Sequence, residues 1–105
     1  MTKYRAIKTN GYASKKEARR AADLRMLEKH GLITDLKEQV KYQLIPSMKR
    51  KDGRIERGCS YIADFQYRSA EGVLVVEDVK GVKTPEYVIK RKLMLMVHDI
   101  EITET

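Results

Sequence analysis

The chain is poor in the residues that would point to a secreted or membrane protein. It has one cysteine, Cys59, among 105 residues, so no intrachain disulfide can form. Cys59 stands at an expected strand start, where it reads as a small half-buried hydrophobe rather than a nucleophile. No apolar run approaches the length that spans a bilayer. Met1 to Lys16 is polar and basic, which excludes a secretory signal there. No basic stretch carries a continuous apolar face with aromatic anchors, which disfavours a membrane-surface role. Repeats, low-complexity tracts and interdomain linkers are missing too. The six tyrosines are scattered and form no stacking platform. These absences lead us to expect one cytoplasmic domain over residues 1–105, in a reducing compartment.

Positive charge is in excess. Lys and Arg number 22 against 15 Asp and Glu, a formal charge of +7 with pI about 9.6. A polyanion is the natural partner of such a surface, and nucleic acid is the first candidate. The competing reading is a basic protein whose lysines are merely solvated.

The elements follow from capping and periodicity. Residues 1–13 carry Lys3, Arg5 and Lys8 and an Asn10-Gly11 turn signal, which suggests a short extended arm. Ser14-Lys15-Lys16-Glu17 has the form of a capping box, and Ala18, Ala21, Leu24 and Leu27 form an apolar stripe ahead of Gly31. Together they predict a helix over about 15–30. Val40, Tyr42 and Leu44 alternate with polar residues as in a half-buried strand. An Asp52-Gly53 turn follows. A second strand is expected over 60–68, with Gly58 as a bulge, and a third over 73–80, central and buried on both faces. Thr84-Pro85-Glu86 opens a helix over about 85–98. Ile100 and Ile102 alternate with Glu101 and Thr103, suggesting a last short strand. The order αβββαβ predicts an α/β (α+β) fold with a mixed central sheet flanked by helices.

Acids stand where these strands should be apolar. Asp64 lies between Ile62-Ala63 and Phe65, and Asp78 follows Val73-Leu74-Val75-Val76. Asp is depleted in strands, and an apolar residue would bury more surface there. If the loop between the strands is Ala70-Glu71-Gly72, Ser69 pairs with Val73 and Asp64 lies opposite Asp78. A four-residue loop over 69–72 would instead set Asp64 opposite Glu77. We choose the three-residue loop, a favoured hairpin type with glycine at its left-handed position. Strand alternation then places Asp78 and Lys80 on one face and Glu77 on the other. Two carboxylates bind a hard cation such as Mg²⁺, and a nearby lysine orients water or stabilises charge on phosphate.

This pattern of acid, strand turn, acid-x-Lys, behind a helix that bears a glutamate, resembles the PD-(D/E)XK nuclease superfamily. The order αβββαβ is that superfamily's restriction-endonuclease-like core. More narrowly, Ser14-Lys15-Lys16-Glu17-Ala18, Tyr61-Ile62-Ala63-Asp64-Phe65 and Val76-Glu77-Asp78-Val79-Lys80-Gly81, with Thr84 and Lys90-Arg91-Lys92-Leu93, look like a family of small phage-encoded proteins. That family is often labelled only as a domain of unknown function. Its functional relatives are Holliday-junction resolvases and phage endonucleases. The resemblance implies that Asp64 and Asp78 are metal ligands, that the Val79 carbonyl is a further ligand, and that Lys80 aligns the attacking water. It implies a catalytic place near the metal for Glu17, whose competing role is the capping box. Ala63 replaces the proline of the family motif. Asp78 replaces the commoner glutamate, which makes Glu77 a rival if the strand bulges.

The remaining basic residues are candidates for the DNA backbone. Lys49, Arg50, Lys51 and Arg54 surround the Asp-Gly turn, and Lys83 and Lys90 follow the third strand. Gln39 and Gln43 read as solvent-facing strand positions. His30 and His98 are explained by helix ends. The expectation is a Mg²⁺-dependent endodeoxyribonuclease, with Mn²⁺ able to substitute, acting on branched DNA as a homodimer. The alternative is a non-catalytic nucleic-acid-binding protein on the same fold.

Overall fold

The computed structural model describes residues 11–105; the expected arm with Lys3, Arg5 and Lys8 falls almost wholly outside the described residues. Two helices flank a mixed four-stranded sheet. The elements are α1 (Lys15–Lys29), β1 (Thr34–Ile45), β2 (Met48–Lys49), β3 (Ile55–Glu56), β4 (Cys59–Arg68), β5 (Leu74–Asp78), α2 (Pro85–His98) and β6 (Thr103–Glu104). The sheet order is β1-β4-β5-β6. β1, β4 and β5 pair antiparallel, and β6 pairs parallel to β5. α2 is the crossover that a parallel pair requires. The αβββαβ order therefore stands, with a two-stranded ribbon, β2–β3, inserted at the Asp-Gly turn.

Both helices begin where their caps predict. The Ser14 hydroxyl accepts from the Glu17 amide at 3.1 Å, and the Thr84 hydroxyl accepts from the Tyr87 amide at 3.1 Å. α1 buries Ala21 and Leu24 against Ile33, Phe65 and Tyr67 on one side of the sheet. α2 buries Tyr87 and Met94 against Leu44, Tyr61, Ala63, Val76 and Ile102 on the other.

The β4–β5 hairpin has the expected register. Ser69 and Val73 close it through a 2.9 Å main-chain bond, and the ladder runs Arg68↔Leu74 to Phe65↔Glu77. Gly72 occupies the left-handed position at φ 83°, as a three-residue loop with a bulge needs.

Three expectations need correction. β1 begins at Thr34, earlier than its alternation suggests, and carries Asp35 and Gln39 at φ 55°. The third strand is shorter than 73–80: it ends at Asp78, and Val73 is exposed at its start. The last strand is Thr103–Glu104, so of the expected run from Ile100 through Ile102 to Thr103 only Thr103 pairs. Those isoleucines pack onto the α2 core from a connector that leaves the helix through Asp99 in the left-handed region. Their alternation reports burial, not pairing.

β4 also departs from strict strand alternation, because it does not keep one face. Tyr61 and Phe65 are four residues apart and would share a face of an unbroken strand. Yet Tyr61 packs in the α2 layer and Phe65 in the α1 layer. β1 changes sides with it: Leu44 belongs to the α2 layer and Leu36 to the α1 layer. The register holds across the change, from Val40↔Ala63 to Glu38↔Phe65. Between these pairs lie Gln39, in its left-handed conformation, and Asp64. The strand pair turns over at the very place where the sequence sets its first anomalous acid.

Gly58 serves a close approach just before β4. A Cβ there would fall 2.5 Å from the Ile45 carbonyl oxygen and 3.0 Å from the Ser47 amide, and backbone cannot yield as a side-chain tip can. Gly58→Ala is expected to destabilise the fold by about 1–3 kcal/mol, read as a lower urea midpoint. An unchanged midpoint would mean that the entry to β4 tolerates a wider gap.

Candidate functional site

The turnover of β4 opens the site. In the β4–β5 ladder the hydrogen-bonded pairs run Ser69–Val73, Tyr67–Val75 and Phe65–Glu77, so Ala63–Val79 would come next. The Val79 amide instead donates to Asp64 Oδ2 at 2.8 Å. A side-chain carboxylate has taken the place of a main-chain acceptor. The strands part there, and a cleft of about 690 Å³ lies at the parting, lined by Glu17, Asp64, Asp78, Val79, Lys80 and the N-terminal turn of α2.

Each sequence-predicted acid has a definite place. Asp78 is buried, at 3% exposure. The Tyr61 hydroxyl donates to its Oδ2 at 2.8 Å, and Lys80 Nζ lies 3.6 Å from the same oxygen. Burial and Asp78 push the Tyr61 phenol well above its ordinary pKa, so it remains a donor. The Lys80 ammonium also sits over the Tyr87 ring, 4.5 Å from its centre, a cation–π contact that fixes it at the cleft wall. Asp64 is pushed up to about 7, first by burial, then by the Asp78 carboxyl beside it and by Glu17, with the Val79 amide opposing.

Glu17 is resolved by its partner. The Ser14 hydroxyl caps the helix through the Glu17 amide, but the Glu17 carboxylate accepts from Gln39 Nε2 at 3.1 Å. It is buried, and burial, Glu38 and Asp78 raise its pKa. Only half of the capping box forms, and the carboxylate is turned to the cleft. Gln39 is therefore not a bystander, as strand alternation suggested. Its strained φ aims it at Glu17.

Glu77 is not a rival to Asp78. It is fully buried on the α1 side, where Arg20 grips both oxygens at 2.8 and 2.6 Å, Tyr67 donates its hydroxyl and Thr105 approaches at 3.5 Å. Burial works to raise its pKa, but Arg20 and Tyr67 outweigh it and hold the carboxyl below its ordinary value. Two successive acids thus have opposite fates: one is neutralised in the core and one is presented to the cleft.

The basic candidates divide. Lys90 lines the cleft and lies 3.5 Å from Glu86. Lys83 pairs with Glu104 at 3.3 Å. Lys49, Arg50, Lys51 and Arg54 sit on or around the β2–β3 ribbon and line no part of the cleft. Arg50 there pairs with Glu56 at 3.3 Å and Arg54 with Asp52 at 2.6 Å. These pairs have exposed members and hold weakly. Lys16, which sequence reasoning passed over, donates to the Lys80 carbonyl at 3.3 Å. Tyr61 and Arg20 were passed over as well. Strict alternation from Asp64 would turn Tyr61 away from Asp78, and no local signal links Arg20 to a glutamate 57 residues away.

Among the described residues no three His, Cys, Asp or Glu side chains gather into a ready metal centre. The donor set nonetheless suits Mg²⁺. That ion keeps several waters and takes one or two carboxylates, with substrate phosphate oxygens completing its octahedron.

Two outcomes follow from the charges. Arg20→Met should destabilise by about 3 kcal/mol, because it strands the Glu77 charge in the core, and adding Glu77→Leu should restore most of the loss. A neutral single variant in chemical denaturation would contradict this account of Glu77. The second concerns pH. Asp64 titrates near 3.8 as a free group and near 7 when folded, so the native state binds more protons between these values. Metal-free stability should therefore fall as pH rises through that window. Asp64→Asn lacks this loss, so its melting temperature in chelator should gain on wild type from about pH 4 to about pH 7. A gap that does not change with pH would refute the shift.

No curated protein and no solved structure matches the chain. A family model described as a protein of unknown function, DUF1064, matches residues 1–103, and the chain belongs to that family.

Proposed function

We propose that the protein is a metal-dependent DNA endonuclease of the PD-(D/E)XK type, acting on branched DNA. The observation that carries this reading is the meeting of Asp64, Asp78 and Lys80 in one cleft, with the Glu17 carboxylate turned toward them rather than spent on its helix cap. Structural stability alone gives no reason to bury acids beside one another, with Asp64 and Glu17 each forced toward the neutral form. A cation relieves that repulsion.

On this reading Asp64 and Asp78 would hold Mg²⁺, or Mn²⁺ in its place, with the Val79 carbonyl as a further oxygen. The ion supplies charge neutralisation at the scissile phosphate and its leaving oxygen. Lys80, fixed between Asp78 and the Tyr87 ring, orients a water in line with phosphorus. The water oxygen bonds to phosphorus as it gives up a proton to solvent, the P–O3′ bond breaks, the leaving oxygen takes a proton from solvent to become a 3′-hydroxyl, and the phosphate remains on the 5′-oxygen of the next nucleotide. Glu17 would hold a water by hydrogen bond from across the cleft. The first turns of α1 and α2 both line the cleft, and the positive ends of two helices favour a phosphate there. Lys16 and Lys90 add charge at the rim. These contacts address backbone rather than bases, which suits recognition of shape. Cutting two arms of a junction calls for two sites and hence a homodimer.

The test is cleavage of a labelled four-way junction and a matched linear duplex with Mg²⁺ or Mn²⁺, beside a chelator control. Asp78→Asn should lower the rate by more than about 100-fold, beyond the loss usual for an outer-shell partner, while salt-dependent DNA binding survives. Binding without cutting of either substrate by wild type would favour a non-catalytic nucleic-acid-binding protein.

A further inference from the structure

Asp78 receives both of its donors on one oxygen. The Tyr61 hydroxyl reaches Oδ2 at 2.8 Å and Lys80 Nζ approaches it at 3.6 Å, so Oδ1 takes neither. Neither donor is free to wander. The Tyr61 ring is buried, at 5% exposure, and packs against the Tyr87 ring with centres 6.4 Å apart. Lys80 rests on that same Tyr87 ring. The carboxylate between them is itself almost wholly buried.

We propose that Tyr61 makes Asp78 a one-oxygen ligand and so sets which divalent cation the cleft takes, favouring Mg²⁺ over Ca²⁺. The proposal rests on the metal-binding role of Asp78 in the reading above. A carboxylate with one oxygen engaged by a fixed hydroxyl presents only its other oxygen to an ion. Mg²⁺ is satisfied by single oxygens in an octahedron completed by water. Ca²⁺ takes more ligands and often holds a carboxylate by both oxygens. Tyr61 withholds the second oxygen and so denies Ca²⁺ part of its preferred shell. Its role is one of positioning, since it acts on the ion only through Asp78.

The test is titration calorimetry of Mg²⁺ and Ca²⁺ on wild type, Tyr61→Phe and Lys80→Met, which needs no catalytic turnover. Tyr61→Phe keeps the ring and its packing and frees Oδ2 from its nearer donor. The preference for Mg²⁺ over Ca²⁺ should fall about 10-fold in Tyr61→Phe, the scale on which outer-shell partners tune metal sites. Lys80→Met should move the preference in the same direction by less, because its contact is longer, and it carries the test if Tyr61→Phe fails to fold by circular dichroism. A preference indistinguishable from wild type in the folded variants overturns the role of Tyr61. Wild type that binds neither ion overturns the metal reading of the cleft itself, a failure visible before any variant is made.

Discussion

The bond from the Val79 amide to the Asp64 carboxylate is the contact on which both the sheet and the cleft depend. An antiparallel ladder that continued past Phe65↔Glu77 would pair Ala63 with Val79 through the main chain, and the strands would stay shut. By accepting the Val79 amide, Asp64 satisfies a donor that the parted ladder would otherwise leave without a partner; a buried amide left unpaired would be costly. The turnover of β4 and β1 at Asp64 and Gln39 follows from the same event. It lets one strand serve the α1 core with Phe65 and Tyr67 and the α2 core with Tyr61 and Ala63. The cleft therefore lies at the seam between two cores, with rigid packing on each side. A site that must hold carboxylates in fixed geometry gains most from that position.

The charge distribution is arranged against the overall sign of the chain. A protein of net charge +7 concentrates Glu17, Asp64 and Asp78 around one cleft, and among the described residues Lys80 is the cation paired with them. Several cations nearby are occupied by other acids: Arg20 by Glu77, Lys83 and Arg91 by Glu104, and Lys90 by Glu86. The Arg20–Glu77 pair matters most, because it joins α1 to β5 one residue from Asp78 and three residues from Glu17. Without it a second carboxylate would be buried uncompensated beside the first. With it, the repulsion in the cleft is confined to groups that a cation can relieve.

Local signals carried much of this structure. Ser14 and Thr84-Pro85 mark both helix starts, and the α2 bounds expected from sequence are those observed. The Ala70-Glu71-Gly72 loop fixed the register that brings Asp64 toward Asp78, because a loop type and a glycine suffice to set it. Long-range features were not legible. The turnover depends on a left-handed glutamine, a conformation that residue type does not announce. The Arg20–Glu77 pair depends on the packing of α1 over β5. Ile100 and Ile102 show the converse error: period-two burial without a partner strand. The Asp-Gly turn was correctly located, but its flanking residues close a separate ribbon, since the bulk of β1 pairs with β4 and leaves Met48–Lys49 only Ile55–Glu56 to meet.

The shortness of Asp78 acquires a physical sense from its neighbours. A glutamate in place of Asp78 would carry its carboxylate one methylene farther from β5. The Tyr61 hydroxyl is set by a ring locked between strand and helix, and it meets the carboxylate of an aspartate. An interior packed to solid density does not shift a tyrosine by a methylene without strain. Aspartate and tyrosine are thus matched in length, and Lys80 is matched to both through the Tyr87 ring. The aspartate is for this reason half of a pair whose other half lies in β4. Changing either residue alone should disturb the carboxylate more than changing both in concert, as expected for neighbours that share one hydrogen bond.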